Sequence, residues 1–227
     1  MAQSVLVIAD SGTGKSTSIR TLNPDETFII NIANKPLPFK GWKGQYKPIS
    51  KDNPKGNITS ASSAAGIIKA VKHVDEKMPH VTTLVVDDWQ YMSSFEYFDR
   101  ANEKGYDKFT QIAANLAMVA KLPKDLRDDL TIIFLTHSED STDINGNRKI
   151  KAKTIGKMID NTLTLEGLFS IVLFGKVNKN DDGELTYGFE TQNSGENTCK
   201  SPMGMIEDKF IPNDLQYVKN CIQKYEE

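Results

Sequence analysis

Cysteine is scarce in this chain, two residues in 227, and Cys199 and Cys221 stand well apart. They are too few to build a disulfide framework or a zinc cluster, and a reducing, cytoplasmic setting is expected. Long apolar runs are missing too. No stretch approaches the roughly 20 apolar residues that span a bilayer, so no membrane association is expected. The N-terminus lacks a basic stretch followed by an apolar core and a cleavage site, so neither a secretory leader nor any segment ahead of the first strand is expected. An excess of one charge is also absent. Lys and Arg number 28 against 30 Asp and Glu, a net charge of -2, which excludes a polycation and confines any nucleic-acid site to a local patch. Repeats and low-complexity tracts are lacking. What remains, 38% hydrophobic and 26% charged residues, suits one soluble domain over 1–227.

The pattern within that composition is α/β. Short, β-branched apolar runs recur at 5–8, 27–32, 82–86 and 131–135, each bounded by polar residues as interior strands are. Helical patterns fall at 16–22, 61–77, 93–102 and 108–122. Their alternation with the strands predicts a mostly parallel sheet flanked by helices. A β-hairpin is expected over 168–192, because Asn180-Asp181-Asp182-Gly183 joins two strand-like runs. Asp214 caps a terminal helix over 214–226, with Leu215, Val218 and Ile222 on one face.

Two segments break the alternation. The first, 33–57, holds four prolines and sets Phe39 and Trp42 beside Lys40 and Lys43. It is expected to fold back with its aromatics on the sheet edge, or to offer them to nucleic-acid bases. The second, 139–153, is polar and then basic, with Arg148, Lys149, Lys151 and Lys153 and no apolar period before Ile155. It is expected as a loop, either solvated or binding phosphates.

Chemistry concentrates at 9–17, where Ala9-Asp10-Ser11-Gly12-Thr13-Gly14-Lys15-Ser16-Thr17 fits the phosphate-loop pattern with Ala in place of the first Gly. Small residues let successive N–H groups turn inward at a helix N-terminus and form an anion nest. In that pattern Ser11, Gly12, Thr13, Gly14, Lys15, Ser16 and Thr17 hold the phosphates of ATP, and the Ser16 hydroxyl ligates Mg2+. The run at 82–86 leads into Asp87, expected on the metal side, and Asp88, expected either to activate water or to cap the next helix. The run at 131–135 leads into His137, a candidate γ-phosphate sensor at a strand tip.

These elements, with Asp87-Asp88-Trp89-Gln90-Tyr91, Lys153-Thr154-Ile155-Gly156-Lys157, Lys200-Ser201-Pro202 and Ile211-Pro212-Asn213-Asp214-Leu215, resemble a family of bacteriophage AAA/RecA-like ATPases. The likeness covers nearly the whole chain, and that wider group includes phage single-strand annealing proteins. It implies a RecA-like P-loop core that binds ATP with magnesium and acts on single-stranded DNA in recombination or replication. By the same resemblance the chain is a homo-oligomer working with phage replication or recombination proteins, Arg148, Lys149, Lys151 and Lys153 hold DNA, and Lys200 reaches a neighbour's γ-phosphate. Two departures stand out. No acid follows the second strand, in Asn31-Ile32-Ala33-Asn34, so either Asp88 has taken the catalytic role or hydrolysis is slow. No counterpart of the N-terminal segment through which bacterial RecA joins its neighbours is expected either, nor filament formation by that route. A helicase loader acting through a protein partner, and a nucleotide-gated regulator that binds no DNA, remain alternatives.

Overall fold

Among the described residues, the apolar runs assemble into a nine-stranded sheet. Its strands are β1 (Gln3–Ala9), β2 (Thr27–Asn31), β3 (Ile58–Thr59), β4 (Thr83–Asp87), β5 (Thr131–Thr142), β6 (Arg148–Ala152), β7 (Ile171–Lys179), β8 (Leu185–Glu190) and β9 (Phe210–Pro212). The computed structural model describes residues 1–142, 146, 148–155 and 164–227. Strand order is β3-β2-β4-β5-β1-β7-β8-β9, parallel from β3 to β7 and antiparallel beyond, with β6 off this path and paired to β5. The expected α/β class, the mostly parallel sheet and the C-terminal hairpin are therefore all present.

Side-chain alternation along each strand divides the core between two faces. Leu6, Ile8, Phe28, Ile30, Leu84, Val86, Ile132 and Phe134 pack on one face. That face is covered by α2 (Ala64–Lys77), α3 (Gln90–Asp99) and α4 (Asp107–Lys121), after a single-turn α1 (Trp42–Gln45). Val5, Val7, Ile29, Val85, Ile133, Leu135 and Leu173 face the other way, against α5 (Leu215–Glu226) and the 33–57 segment. Periodicity explains the docking: Ile67, Val71 and Val74 of α2, and Leu215, Val218 and Ile222 of α5, form the buried stripes. Caps fix where these helices begin. Ser63 Oγ accepts from Gly66 N at 3.2 Å, and Asp214 Oδ1 accepts from Tyr217 N at 2.9 Å. Phe39 and Trp42 are half-buried against the second core cluster, so the 33–57 segment does fold back onto the sheet.

Three expectations need correction. The turn after the phosphate loop is a six-residue 3-10 helix, Ser16–Thr21, rather than an α-helix to residue 22. Its tight winding shows in Ser18 N, which donates to both Gly14 O (3.0 Å) and Lys15 O (3.3 Å). Of the segment 139–153, the described residues 139–142 and 148–152 form a β-ribbon, not a loop. β5 runs on to Thr142, and its outer half pairs antiparallel with β6 in the register Glu139↔Lys151 and Ser141↔Lys149. The sequence hides this because Ile150 and Ala152 alone pack inward, and the alternate positions are charged. Asp88 does not cap α3: the residue flanking that helix is Trp89, which makes no side-chain cap, and the Asp88 carboxylate points elsewhere.

Candidate functional site

The sheet opens a crevice at the carboxyl ends of β1, β5 and β4. β1 connects outward to β2 on one side, while the chain after β5 crosses to β7 on the other, and open α/β sheets bind ligands at such a reversal. Register brings Ala9 level with His137 on β5 and with Gly175 on β7. Gly175 explains the tolerated Ala9, since a Cβ at position 175 would sit 2.7 Å from the Ala9 methyl. Beyond Ala9 the loop turns through Gly12 and Gly14 at φ 83° and 87°, a backbone region open to glycine and costly for most side chains. A cleft of about 610 Å³ opens over it, lined by Ser11, Gly12, Gly14, Lys15, Ser16 and Thr17 among others. Thr13 is turned away, its hydroxyl donating to Asp10 O at 2.8 Å.

Two carboxylates meet this loop. Ser16 Oγ donates to Asp87 Oδ1 at 2.8 Å. Burial holds the Asp87 carboxyl above its usual range, and the charge of Asp88 adds to this, while Lys15 and the Ser16 hydrogen bond oppose it. A divalent cation here would supply the missing counter-charge, so the residues fit magnesium. Among the described residues no three His, Cys, Asp or Glu side chains cluster as a metal site. The ion would therefore depend on Ser16 and on phosphate oxygens, as magnesium commonly does.

Asp88 is the electrostatic hub. Its backbone adopts φ 59°, a left-handed conformation that Asp tolerates better than most residues. Lys15 Nζ lies 2.7 Å from its Oδ1, with the two side chains 6% and 1% exposed. Lys35 Nζ is 2.5 Å from Oδ2, and His137 Nε2 is 3.6 Å from Oδ1. Burial alone would raise the Asp88 pKa, but His137, Lys15 and Lys35 together outweigh it and hold the carboxyl well below the usual range. The carboxylate stays ionised and, while Lys15 and Lys35 face it, is a poor proton acceptor.

Of the residues expected at the site, Ser11, Gly12, Gly14, Lys15, Ser16, Thr17, Asp87, Asp88 and His137 come together. Lys200 does not line the cleft: its main chain bridges Val172, near the start of β7. The basic residues sit on the β5–β6 ribbon. Arg148 pairs with Asp140 at 2.9 Å and Lys151 with Glu139 at 3.0 Å, while Lys153 is exposed and its N–H donates to His137 O at 2.8 Å. Gly156 and Lys157 lie outside the described residues.

Four participants escaped sequence reasoning. Lys35 has no motif around it. Gln90 Oε1 accepts from His137 N (3.1 Å) and Thr136 Oγ1 (3.3 Å), locking the β5 tip. Asn213 Nδ2 donates to Gly14 O at 3.1 Å while its Oδ1 accepts from Arg20 Nη1 at 2.7 Å, so Asn213 and Arg20 clamp the phosphate loop from the C-terminal side. Only the Pro-Asn-Asp run before the terminal helix could have hinted at Asn213, and nothing there says what it touches.

A phosphate loop at the tip of a central parallel strand, with a part-buried Ser–Asp pair beside it, defines a P-loop nucleotide-binding α/β domain. Comparison with protein families agrees: the chain belongs to the AAA domain family, whose model matches residues 1–203. No curated protein matches the chain. Among the described residues, no helix is long and apolar enough to cross a membrane.

Proposed function

We propose that the chain binds ATP with magnesium, hydrolyses it, and couples this to single-stranded DNA in the recombination or replication of a bacteriophage genome. The observation carrying the nucleotide part is the convergence of Lys15, Asp88 and His137 with the Ser16–Asp87 pair in one cleft. Lys15 neutralises phosphate charge, and Ser16 and Asp87 hold the metal. Magnesium, when bound, supplies charge neutralisation at the phosphate oxygens. Once phosphate draws Lys15 away, Asp88 regains basicity and orients the attacking water, with His137 beside it.

Support for the DNA part is the outward face of the β5–β6 ribbon, which carries Lys149, Lys151 and Lys153 directly beyond the His137 strand. Phosphate contacts from such a face give sequence-independent, salt-sensitive binding. A second reading, an accessory ATPase of the helicase-loader kind acting through a protein partner, is favoured by Glu139 and Asp140, which already pair with Lys151 and Arg148. Assembly into a homo-oligomer, with Lys200 reaching a neighbour's nucleotide, belongs to the DNA reading and rests on resemblance.

The test is ATP hydrolysis with and without single-stranded DNA over a range of salt, alongside DNA binding by anisotropy. Parent protein should hydrolyse ATP and Lys15→Ala should not. Replacing Arg148, Lys149, Lys151 and Lys153 with Gln should weaken DNA binding and flatten the log K against log salt slope by roughly 0.7 per lost contact. Hydrolysis that survives Lys15→Ala would overturn the nucleotide reading. An unchanged slope and affinity in the quadruple variant would hand the DNA reading to the accessory one.

A further inference from the structure

Lys35 enters the cleft from outside every motif, and the structure fastens it there at several points. The Asn31 side chain, buried at the tip of β2 and level with Asp87, grips the Lys35 main chain: its Nδ2 donates to Lys35 O at 2.6 Å, and its Oδ1 accepts from Lys35 N at 3.3 Å. Asn34 turns the chain at φ 51°, and Pro36 restricts Lys35 from the other side. The Lys35 stem then runs over the Tyr91 ring, with Nζ 5.6 Å from the centroid, to reach Asp88 Oδ2. The backbone is thus held while the side chain that pairs with Asp88 is 58% exposed.

One buried carboxylate consequently holds two ammonium groups, Lys15 on Oδ1 and Lys35 on Oδ2, in a cleft that both line with Ser11 and Gly12. Both ammonium groups share that one contacting carboxylate, and the charge of Asp87 reaches them without such a contact. An anion placed between the two would gain contacts with both. Asn213 and Arg20 close the opposite end of the phosphate loop, beside Gly14 and Thr17, so the Lys35 end is where the last phosphate of a chain would lie.

We propose that Lys35 reads the terminal phosphate, leaving Asp88 to contact it and so distinguishing nucleoside triphosphates from diphosphates. The inference rests on the nucleotide reading above and adds the residue that sets its phosphate-number specificity.

Calorimetry with magnesium and two ligands, ADP and the β,γ-imido analogue of ATP, tests it on parent, Lys35→Gln and Lys35→Arg proteins. Loss of a charge-assisted hydrogen bond should lower affinity for the triphosphate analogue about tenfold or more in Lys35→Gln, leaving ADP within about twofold. Lys35→Arg should restore most of the analogue's affinity. Folding is not at stake, since Asp88 keeps Lys15 and His137 in every variant. Equal loss for both ligands, no loss for either, or failure of Arg to restore a selective loss would each overturn the inference. A parent that binds neither ligand would overturn the nucleotide reading, and this inference with it.

Discussion

Replacing Asp88 with Asn removes one charge and almost no volume, and Asn accepts the φ of 59° at this position at least as well as Asp. The change therefore probes electrostatics without disturbing the backbone. In the nucleotide-free protein it strands Lys15, 6% exposed, beside a neutral amide. Breaking a buried pair by removing one partner costs about 3–5 kcal/mol. The lower end applies, because the amide oxygen still accepts from Lys15 and the Lys35 arm is half in solvent and heavily screened. At about 2–4 °C per kcal/mol for a domain of this size, the midpoint should fall by about 6–12 °C. The assay is thermal denaturation by circular dichroism, first at pH 7 without nucleotide. The pH dependence follows from the depressed Asp88 pKa. Its contribution is fully present above the unfolded value of about 4 and is lost as pH falls through the folded value. The gap between parent and variant should therefore hold at pH 5–8 and shrink below about pH 4. Magnesium–nucleotide should also narrow it, because phosphate replaces Asp88 as the partner of Lys15. Turnover should drop while binding persists. Equal midpoints at pH 7 would refute the hub described here.

Ser16→Ala should weaken nucleotide binding far more with magnesium than with EDTA, since it removes the hydroxyl beside Asp87; equal weakening in calorimetry under both conditions would place the metal elsewhere. Asp87 has the opposite sign to Asp88. Its raised pKa costs stability as pH climbs from about 4 to the folded value, so magnesium with nucleotide should stabilise the parent more at pH 7 than at pH 4 in thermal melts. Asn213→Ala deletes the bonds to Gly14 and Arg20, and should lower stability by about 2 kcal/mol and nucleotide affinity several-fold. Unchanged affinity in that variant would make the clamp purely structural.

Sequence alone determined the strand–loop–helix that makes the phosphate loop, the acid pair after β4 and the alternating pattern that makes the sheet. Each is a local signal: hydrophobic period, turn chemistry and motif spacing are written in contiguous residues. The β5–β6 ribbon reads as a loop in the sequence for the same reason, since among its described residues Ile150 and Ala152 carry the inward pattern and pairing with β5 supplies the rest. What Asp88 does was open in the sequence, because an acid after a strand suits a helix cap and a catalytic group equally. Tertiary structure set the cap aside by bringing Lys15, 73 residues away, and Lys35 against its two oxygens. Arg20 and Asn213 meet across 193 residues. No local pattern encodes such contacts, because they arise where strand order carries distant tips to one edge of the sheet. Ion pairing likewise appears only after folding: 148–153 reads as a run of positive charge, and register with β5 sets Glu139 and Asp140 against it.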